Sequence, residues 1–295
     1  MPYQNSSIEL NTQKANSLMQ LKNEGLPIPP TLFLNHSDKF AYEAEIASYL
    51  STVTSQLFYL RLCFSDVAYP HYYGELVSSG RIVYTIEELL QRAYGENRTN
   101  FDVIIQPLQK LSVSGAILAR GDRLLIESIV GAPPLLFRNG HFNSRFILEN
   151  KRLILEEYQI QEESLIWDFA DSNWAKIDNS KCVDTSILNH ISSRDYDTLS
   201  LYEYGIDCDD EFWIFEKKSI PTNVYTSLDT IETGSSHFIV SGGKYSDTLY
   251  VDLPMFSEID NCDEKNKYII KSGAYTAHFP LYLALSNIAC QFVRG

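Results

Sequence analysis

The sequence predicts an α+β chain, and three stretches carry the prediction. Near the end, the apolar strand Tyr268-Ile269-Ile270 enters a small-residue turn at Gly273-Ala274, and a segment with helical spacing runs from His278 through Leu281, Ala284, Ile288 and Ala289. Near the start, a helix-like run is closed by Gly25 and the prolines at 27, 29 and 30, and the strand Thr31-Leu32-Phe33-Leu34 follows. Between these ends lies a series of strand-like segments joined by short turns.

In the first helix, Leu18 and Leu21 share a face, Gly25 suits the C-terminal cap, and the prolines forbid continuation. Lys14 therefore sits at or near a helix start. Residues 38–55 have helical composition, and residues 57–64 read as a buried strand interrupted by one charge, Arg61. A buried arginine needs an anion to pair with. Residues 85–94 are amphipathic through Ile86, Leu89, Leu90 and Ala93, with Thr85 as the expected N-cap and Gly95 past the end. Strands are expected at 103–106, 114–119 and 124–129, the last two joined by the hairpin turn Arg120-Gly121-Asp122-Arg123. Residues 146–174 read as short strands and polar turns, and 183–204 as helix. After the acidic turn Asp207-Cys208-Asp209-Asp210-Glu211, the residues Phe212, Ile214 and Glu216 alternate onto one face of a strand. A polar linker, 223–236, leads to Val240-Ser241-Gly242-Gly243-Lys244 and the strand Thr248-Leu249-Tyr250-Val251.

With 295 residues, 44% hydrophobic and 13% aromatic, the chain can bury a substantial core, and its length suggests two or three compact units. Against 38 acidic residues stand 24 basic ones, a formal charge of -14 with no local basic cluster, so neither nucleic acid nor a membrane surface is an expected partner. No apolar run reaches about 18 residues, and the polar opening Met1-Pro2-Tyr3-Gln4-Asn5 does not read as a signal peptide. A cytoplasmic protein is expected. The cysteines (63, 182, 208, 262 and 290) are odd in number and widely spaced, with no CxxC pair, which argues against a disulfide framework or zinc site and fits a reducing compartment.

The residue that stands out chemically is His278, delivered by a small-residue turn to the start of a helix. A neutral imidazole there has a free nitrogen that can attack phosphorus, and the helix amides and dipole would stabilise the anionic product. The stretch Gly273-Ala274-Tyr275-Thr276-Ala277-His278 resembles the swivelling phosphohistidine domain of the phosphoenolpyruvate synthase, pyruvate phosphate dikinase and rifampin phosphotransferase superfamily. Those relatives have two glycines, a variable residue and Thr-Ser-His. The threonine and histidine are kept here, and the second glycine and the serine are not. The N-terminal stretch Lys14-Ala15, Leu18, Gly25, Pro27, Pro29 and Pro30 is similar to the family opening Gly-Gly-Lys-x-Ala-x-Leu and Gly-Val-Pro-Val-Pro-Pro, with Thr12 and Gln13 in place of the two glycines.

By this resemblance Lys14 and Arg61 would contact ATP phosphates, and the strands through 129 would belong to an ATP-grasp fold. The family's Asp-Ile-Glu and Leu-Tyr-x-Leu-Gln-x-Arg-Pro stretches place Asp209 and Glu216 as magnesium ligands and Lys218 at a phosphate. Asp210 or Glu211 could equally fill the place of Asp209. Where relatives have Gly-Leu-Gly-Glu, this chain has Gly131-Ala132-Pro133-Pro134, which removes a carboxylate and backbone donors. The resemblance implies an ATP-grasp two-lobed nucleotide-binding fold over residues 1–222, with lobes of about 1–100 and 101–222, and then a truncated swivelling β/α phosphohistidine-type domain over 237–295. It implies an ATP- and magnesium-dependent phosphotransferase that passes a phosphoryl group through His278 to a small molecule, or to a partner protein that supplies the acceptor site. The alternative is a catalytically degenerate nucleotide-binding or interaction module of the same fold.

Overall fold

A computed structural model describes residues 10–35, 42–65, 72–98, 100–160, 163–168, 173–178, 181–220, 247–252, 257, 259, 262–263, 265–286 and 288–292. The linker expected at 223–236, the glycine pair Gly242-Gly243 and the final residue Gly295 lie outside these. The chain divides into two compact units, Met1–Gln109 with Trp213–Lys217, and Lys110–Phe212 with Lys218–Gly295.

The first unit contains α1 (Gln13–Asn23), β1 (Leu32–Asn35), α2 (Tyr42–Leu50), β2 (Leu57–Phe64), β3 (Tyr72–Ser78), α3 (Ile82–Gly95) and β4 (Phe101–Pro107). Its strands form an antiparallel sheet in the order β1-β4-β2-β3. Successive strand residues face opposite ways, so Phe58, Leu60 and Leu62 of β2 enter one core with Ile46 and Tyr49 of α2 and Ile86 and Leu89 of α3. The other face of β2 carries Tyr59, Arg61 and Cys63. Thr85 does not cap α3: a 3-10 turn over Ser79–Arg81 starts the helix at Ile82, and Ile82, Ile86, Leu89 and Ala93 share the buried face. The apolar spacing therefore begins one turn earlier than the threonine suggests.

The second unit contains β5 (Leu111–Arg120), β6 (Arg123–Val130), α4 (Pro134–Phe137), β7 (Ser144–Glu149), β8 (Arg152–Tyr158), β9 (Glu163–Asp168), β10 (Asn173–Asp178), α5 (Leu188–Ser192) and β11 (Ser200–Asp207). The chain continues with β12 (Phe212–Ser219), whose residues Trp213–Lys217 are counted with the first unit, and then with β13 (Thr248–Val251), β14 (Lys267–Ile270), α6 (His278–Leu285) and β15 (Cys290–Phe292). A six-stranded sheet runs β12-β11-β5-β6-β7-β8, β9 and β10 form a separate hairpin, and β13-β14-β15 is a small parallel sheet. The hairpin expected between β5 and β6 is present, with Arg120 opposite Arg123 and Gly121 at φ +60. The helix expected over 183–204 is not. A 3-10 turn over Thr185–Ile187 and the five residues of α5 are all that is helical there, and β11 takes the rest. Leu201, Tyr202 and Tyr204 are buried on both faces of that strand, a requirement that helical spacing does not reveal.

Parallel strands need a crossover, and α6 supplies it between β14 and β15. Its Phe279, Leu281 and Leu283 share one apolar core with Ala116 and Leu118 of β5, Leu125 and Ile129 of β6, and Ile270 of β14. The C-terminal residues expected to form a body of their own thus group with Lys110–Phe212 in a single unit. Among the described residues no helix is long and apolar enough to cross a membrane.

Tight packing at the centre of the six-stranded sheet constrains one residue. A methyl group on Gly115 would lie 2.4 Å from the Glu127 carbonyl oxygen and 2.5 Å from the Tyr204 ring. Gly115→Ala is therefore expected to destabilise the protein by about 1–3 kcal/mol, read as a lower midpoint in urea denaturation with unchanged slope.

Candidate functional site

The buried and half-buried ionic groups assemble into one cluster in the first unit and two in the second. In the first unit, Thr12 caps α1 from an extended conformation, its hydroxyl accepting from the Ala15 amide. The wholly buried carboxylate of Asp102 on β4 accepts from the backbone amides of Asn11 and Thr12 at 2.9 and 2.7 Å and from the Thr12 hydroxyl at 2.7 Å. That negative charge at the positive end of α1 fixes the helix start and with it Lys14. Lys14 is buried, and its Nζ donates to Oε2 of Glu216 at 2.5 Å. Arg61 Nη1 donates to Oε1 of Gln106 at 2.7 Å, with the guanidinium 4.4 Å from the centre of the Tyr59 ring. Cys63 lies among these charges. Burial pushes its thiol up to about 11, with Glu216 and Asp102 adding to the shift and Lys14 and Arg61 opposing it.

In the second unit, Lys218 Nζ donates to Oε1 of Glu203 at 2.6 Å, and His278 Nε2 lies 3.8 Å from the same oxygen. The imidazole stacks on Phe137, centroids 5.5 Å apart and planes at 21°. His278 is the first residue of α6, as expected. The sequence therefore placed two residues, Lys218 and His278, that meet at a third it did not single out, Glu203.

The other cluster of the second unit was also missed. Glu127 on β6 is fully buried, and its Oε1 accepts from Nε and Nη2 of Arg145 at 2.8 and 2.7 Å and from the Tyr275 amide at 3.0 Å. Its Oε2 accepts from the Thr276 amide at 2.8 Å and the Thr276 hydroxyl at 2.6 Å. Arg145 Nη2 also donates to the Gly273 carbonyl at 2.9 Å, and the guanidinium lies 4.0 Å from the Phe142 ring centre and 3.9 Å from that of Tyr275. The threonine that the family pattern keeps is thus bonded to a carboxylate. The signal for this cluster was one charge inside the apolar run Leu124-Leu125-Ile126-Glu127, the same signal that singled out Arg61.

The acidic turn is exposed. Asp207 Oδ1 accepts from the amides of Asp209 and Glu211 at 3.0 Å each, and Asp210, at φ +64, reaches the His190 ring at 3.2 Å. Among the described residues no group of three or more His, Cys, Asp and Glu is arranged to hold a cation.

No family model matches the chain, and no curated protein is similar to it in sequence. Among solved structures, the D-alanine–D-alanine ligase of Bacillus anthracis is similar at 11% identity and TM-score 0.38 over 70% of this chain and 56% of that one. The D-alanyl-alanine synthetase A of Vibrio cholerae is similar at 11% identity and TM-score 0.38, over 76% and 60%. The ADP complex of N5-carboxyaminoimidazole ribonucleotide synthetase is similar at 13% identity and TM-score 0.37, over 74% and 48%. The chain spans about half to three-fifths of the length of these structures. At TM-scores this low, neither fold nor activity passes from them to this chain.

Three outcomes follow from the buried groups. Glu127→Gln leaves the Arg145 charge buried without its carboxylate and is expected to cost about 3–5 kcal/mol in urea or thermal unfolding. In the native protein a thiol reagent should label the exposed Cys208 and leave Cys63 unlabelled until the chain unfolds. Because the Cys63 value is raised on folding, its contribution to stability is whole below the unfolded thiol value of about 8.5. It is lost as pH climbs toward about 11, so the urea midpoint should fall over that alkaline window.

Proposed function

We propose that the protein binds ATP with magnesium as a nucleotide-binding module of ATP-grasp type, through Lys14, Arg61 and Glu216, and does not carry a phosphoryl group on His278. One observation supports this above the others: Lys14 and Glu216, 202 positions apart in the chain, meet as a buried pair. Such a pair is a weak source of stability, because taking two charges out of water costs several kcal/mol per ion, about as much as their attraction returns. Its chemistry suits a magnesium–phosphate group. An ammonium can meet a phosphate oxygen, a carboxylate can ligate a hard cation, and Arg61 in the same unit offers a planar fork to a pair of oxygens. Bound ATP would replace an internal ion pair with two external ones of the same sense, so no charge is left stranded.

The second reading, phosphoryl transfer through His278, is favoured by the meeting of that imidazole with Glu203 and Lys218. Against it stands the attachment of the turn before it. A phosphohistidine has to travel between donor and acceptor, and residues 273, 275 and 276 are bonded to the buried Glu127 and Arg145. The absence of a carboxylate from Gly131-Ala132-Pro133-Pro134 also argues for binding without turnover.

Titration calorimetry with ATP and magnesium should give a saturable signal. The double variant Lys14→Met with Glu216→Gln, which removes both charges and keeps the volume, should weaken it at least about tenfold while circular dichroism shows an unchanged fold. No signal from the native protein, or equal binding by the double variant, would refute the proposal. Incubation with ATP labelled on the β or γ phosphate should leave no acid-labile label on the protein. A label that disappears in His278→Ala would establish the second reading instead.

A further inference from the structure

The charges that act on the buried thiol of Cys63 are Lys14, Arg61, Glu216 and Asp102, two cations and two anions. Their commitments differ. Both oxygens of Asp102 are engaged at the start of α1, where they accept from the backbone amides of Asn11 and Thr12, the Asn11 side-chain amide and the Thr12 hydroxyl. Arg61 donates to Gln106 on the neighbouring strand β4. Lys14 and Glu216 answer each other at 2.5 Å, with only 7% and 9% of their side chains exposed. At that depth bulk water cannot take over from either partner, so drawing the two apart is favourable only when each meets a new countercharge.

On the nucleotide reading above, a phosphate oxygen takes the ammonium of Lys14 away from Glu216. A bare triphosphate brings negative charge alone. It would satisfy Lys14 and strand the Glu216 carboxylate beside a second anion, where the low local dielectric makes like-charge repulsion strong. Magnesium on the phosphates reverses the sign of what Glu216 meets. The carboxylate can then ligate the cation while the ammonium holds a phosphate oxygen, and both are matched. Magnesium is ordinarily held by one or two carboxylates together with substrate phosphates, so one carboxylate suffices on the protein side. A neutral amide at position 216 would also offer an oxygen to magnesium, but it carries no charge with which to hold Lys14 closed against a bare phosphate. The charge of Glu216 is the discriminating feature.

We infer that Glu216 is a specificity-determining residue: as a built-in surrogate for phosphate on Lys14, it bars metal-free triphosphates from the site and admits their magnesium complexes. The inference rests on the nucleotide reading and sharpens it. Calorimetric affinity and the rise in thermal unfolding midpoint are read for three ligands, ATP with magnesium, ATP with EDTA, and inorganic triphosphate with EDTA. The native chain should bind ATP with magnesium at least about tenfold more tightly than either metal-free ligand. Glu216→Gln frees Lys14, so it should bind ATP with EDTA and inorganic triphosphate at least about tenfold more tightly than the native chain does, and its preference for the magnesium complex should narrow by a similar factor. If the variant is partly unfolded, inorganic triphosphate should refold it by supplying the countercharge that Lys14 has lost, while the native midpoint stays where it was. Equal binding of ATP by the native chain with and without magnesium would overturn the inference and leave the nucleotide reading intact. So would a Glu216→Gln chain that neither binds the metal-free ligands more tightly nor refolds with them. A native chain that does not respond to ATP with magnesium would refute the nucleotide reading and this inference with it.

Discussion

The second unit depends on the satisfaction of one buried carboxylate. Left alone in an apolar interior, the charge of Glu127 would be prohibitive. It is tolerable because five donors converge on it, two from Arg145, two from backbone amides and one from a hydroxyl. Three of those donors belong to residues 275 and 276, far along the chain, so the charge cannot be met unless the C-terminal segment arrives. Once there, the segment starts α6 at His278 and sends Phe279, Leu281 and Leu283 into the core shared with β5 and β6. A polar requirement and an apolar one thus select the same arrangement, as a strongly specified fold demands.

The other two clusters follow a related rule in a different setting. Lys14 and Lys218 each stand against a carboxylate of the folded chain, Glu216 and Glu203, and neither relies on solvent for its countercharge. In a chain carrying a formal charge of -14, anions are abundant and a buried cation is readily matched. What distinguishes the Lys14 pair is its depth and the anchoring of its helix by Asp102, which hold the ammonium in place before any ligand arrives. The Glu203 group is more open, with the His278 imidazole nitrogen 3.8 Å from the carboxylate oxygen.

Much of the fold was legible from the residues because local and global preferences agree. The helix ended by Gly25 is α1, the apolar run with one arginine is β2, the hairpin at Gly121 is present, and the segment from His278 is helical. The failures have a common cause, a local signal outweighed by packing. Thr85 is a good cap, but Ile82 had an apolar site to fill and drew the helix past it. Residues 200–204 show no clean alternation because both of their faces are buried, and without alternation a strand resembles a helix. For the ionic clusters, spacing could name a lone charge in an apolar run but not its partner, which lies 18 positions away for Glu127 and Arg145 and 202 for Lys14 and Glu216. Partner choice is a property of the tertiary structure, and no short window of sequence contains it.

β12 carries Glu216 and Lys218 two residues apart, hence on the same side of its pleat, and each completes a different ionic pair. Slipping the strand by one position would turn both side chains to the opposite side together. The acidic turn ahead of it is consequently constrained in parity rather than in length. Insertions or deletions of an even number of residues between Asp207 and Phe212 can be absorbed as a longer or shorter loop, whereas an odd change that propagates into β12 would break two distant salt bridges at once.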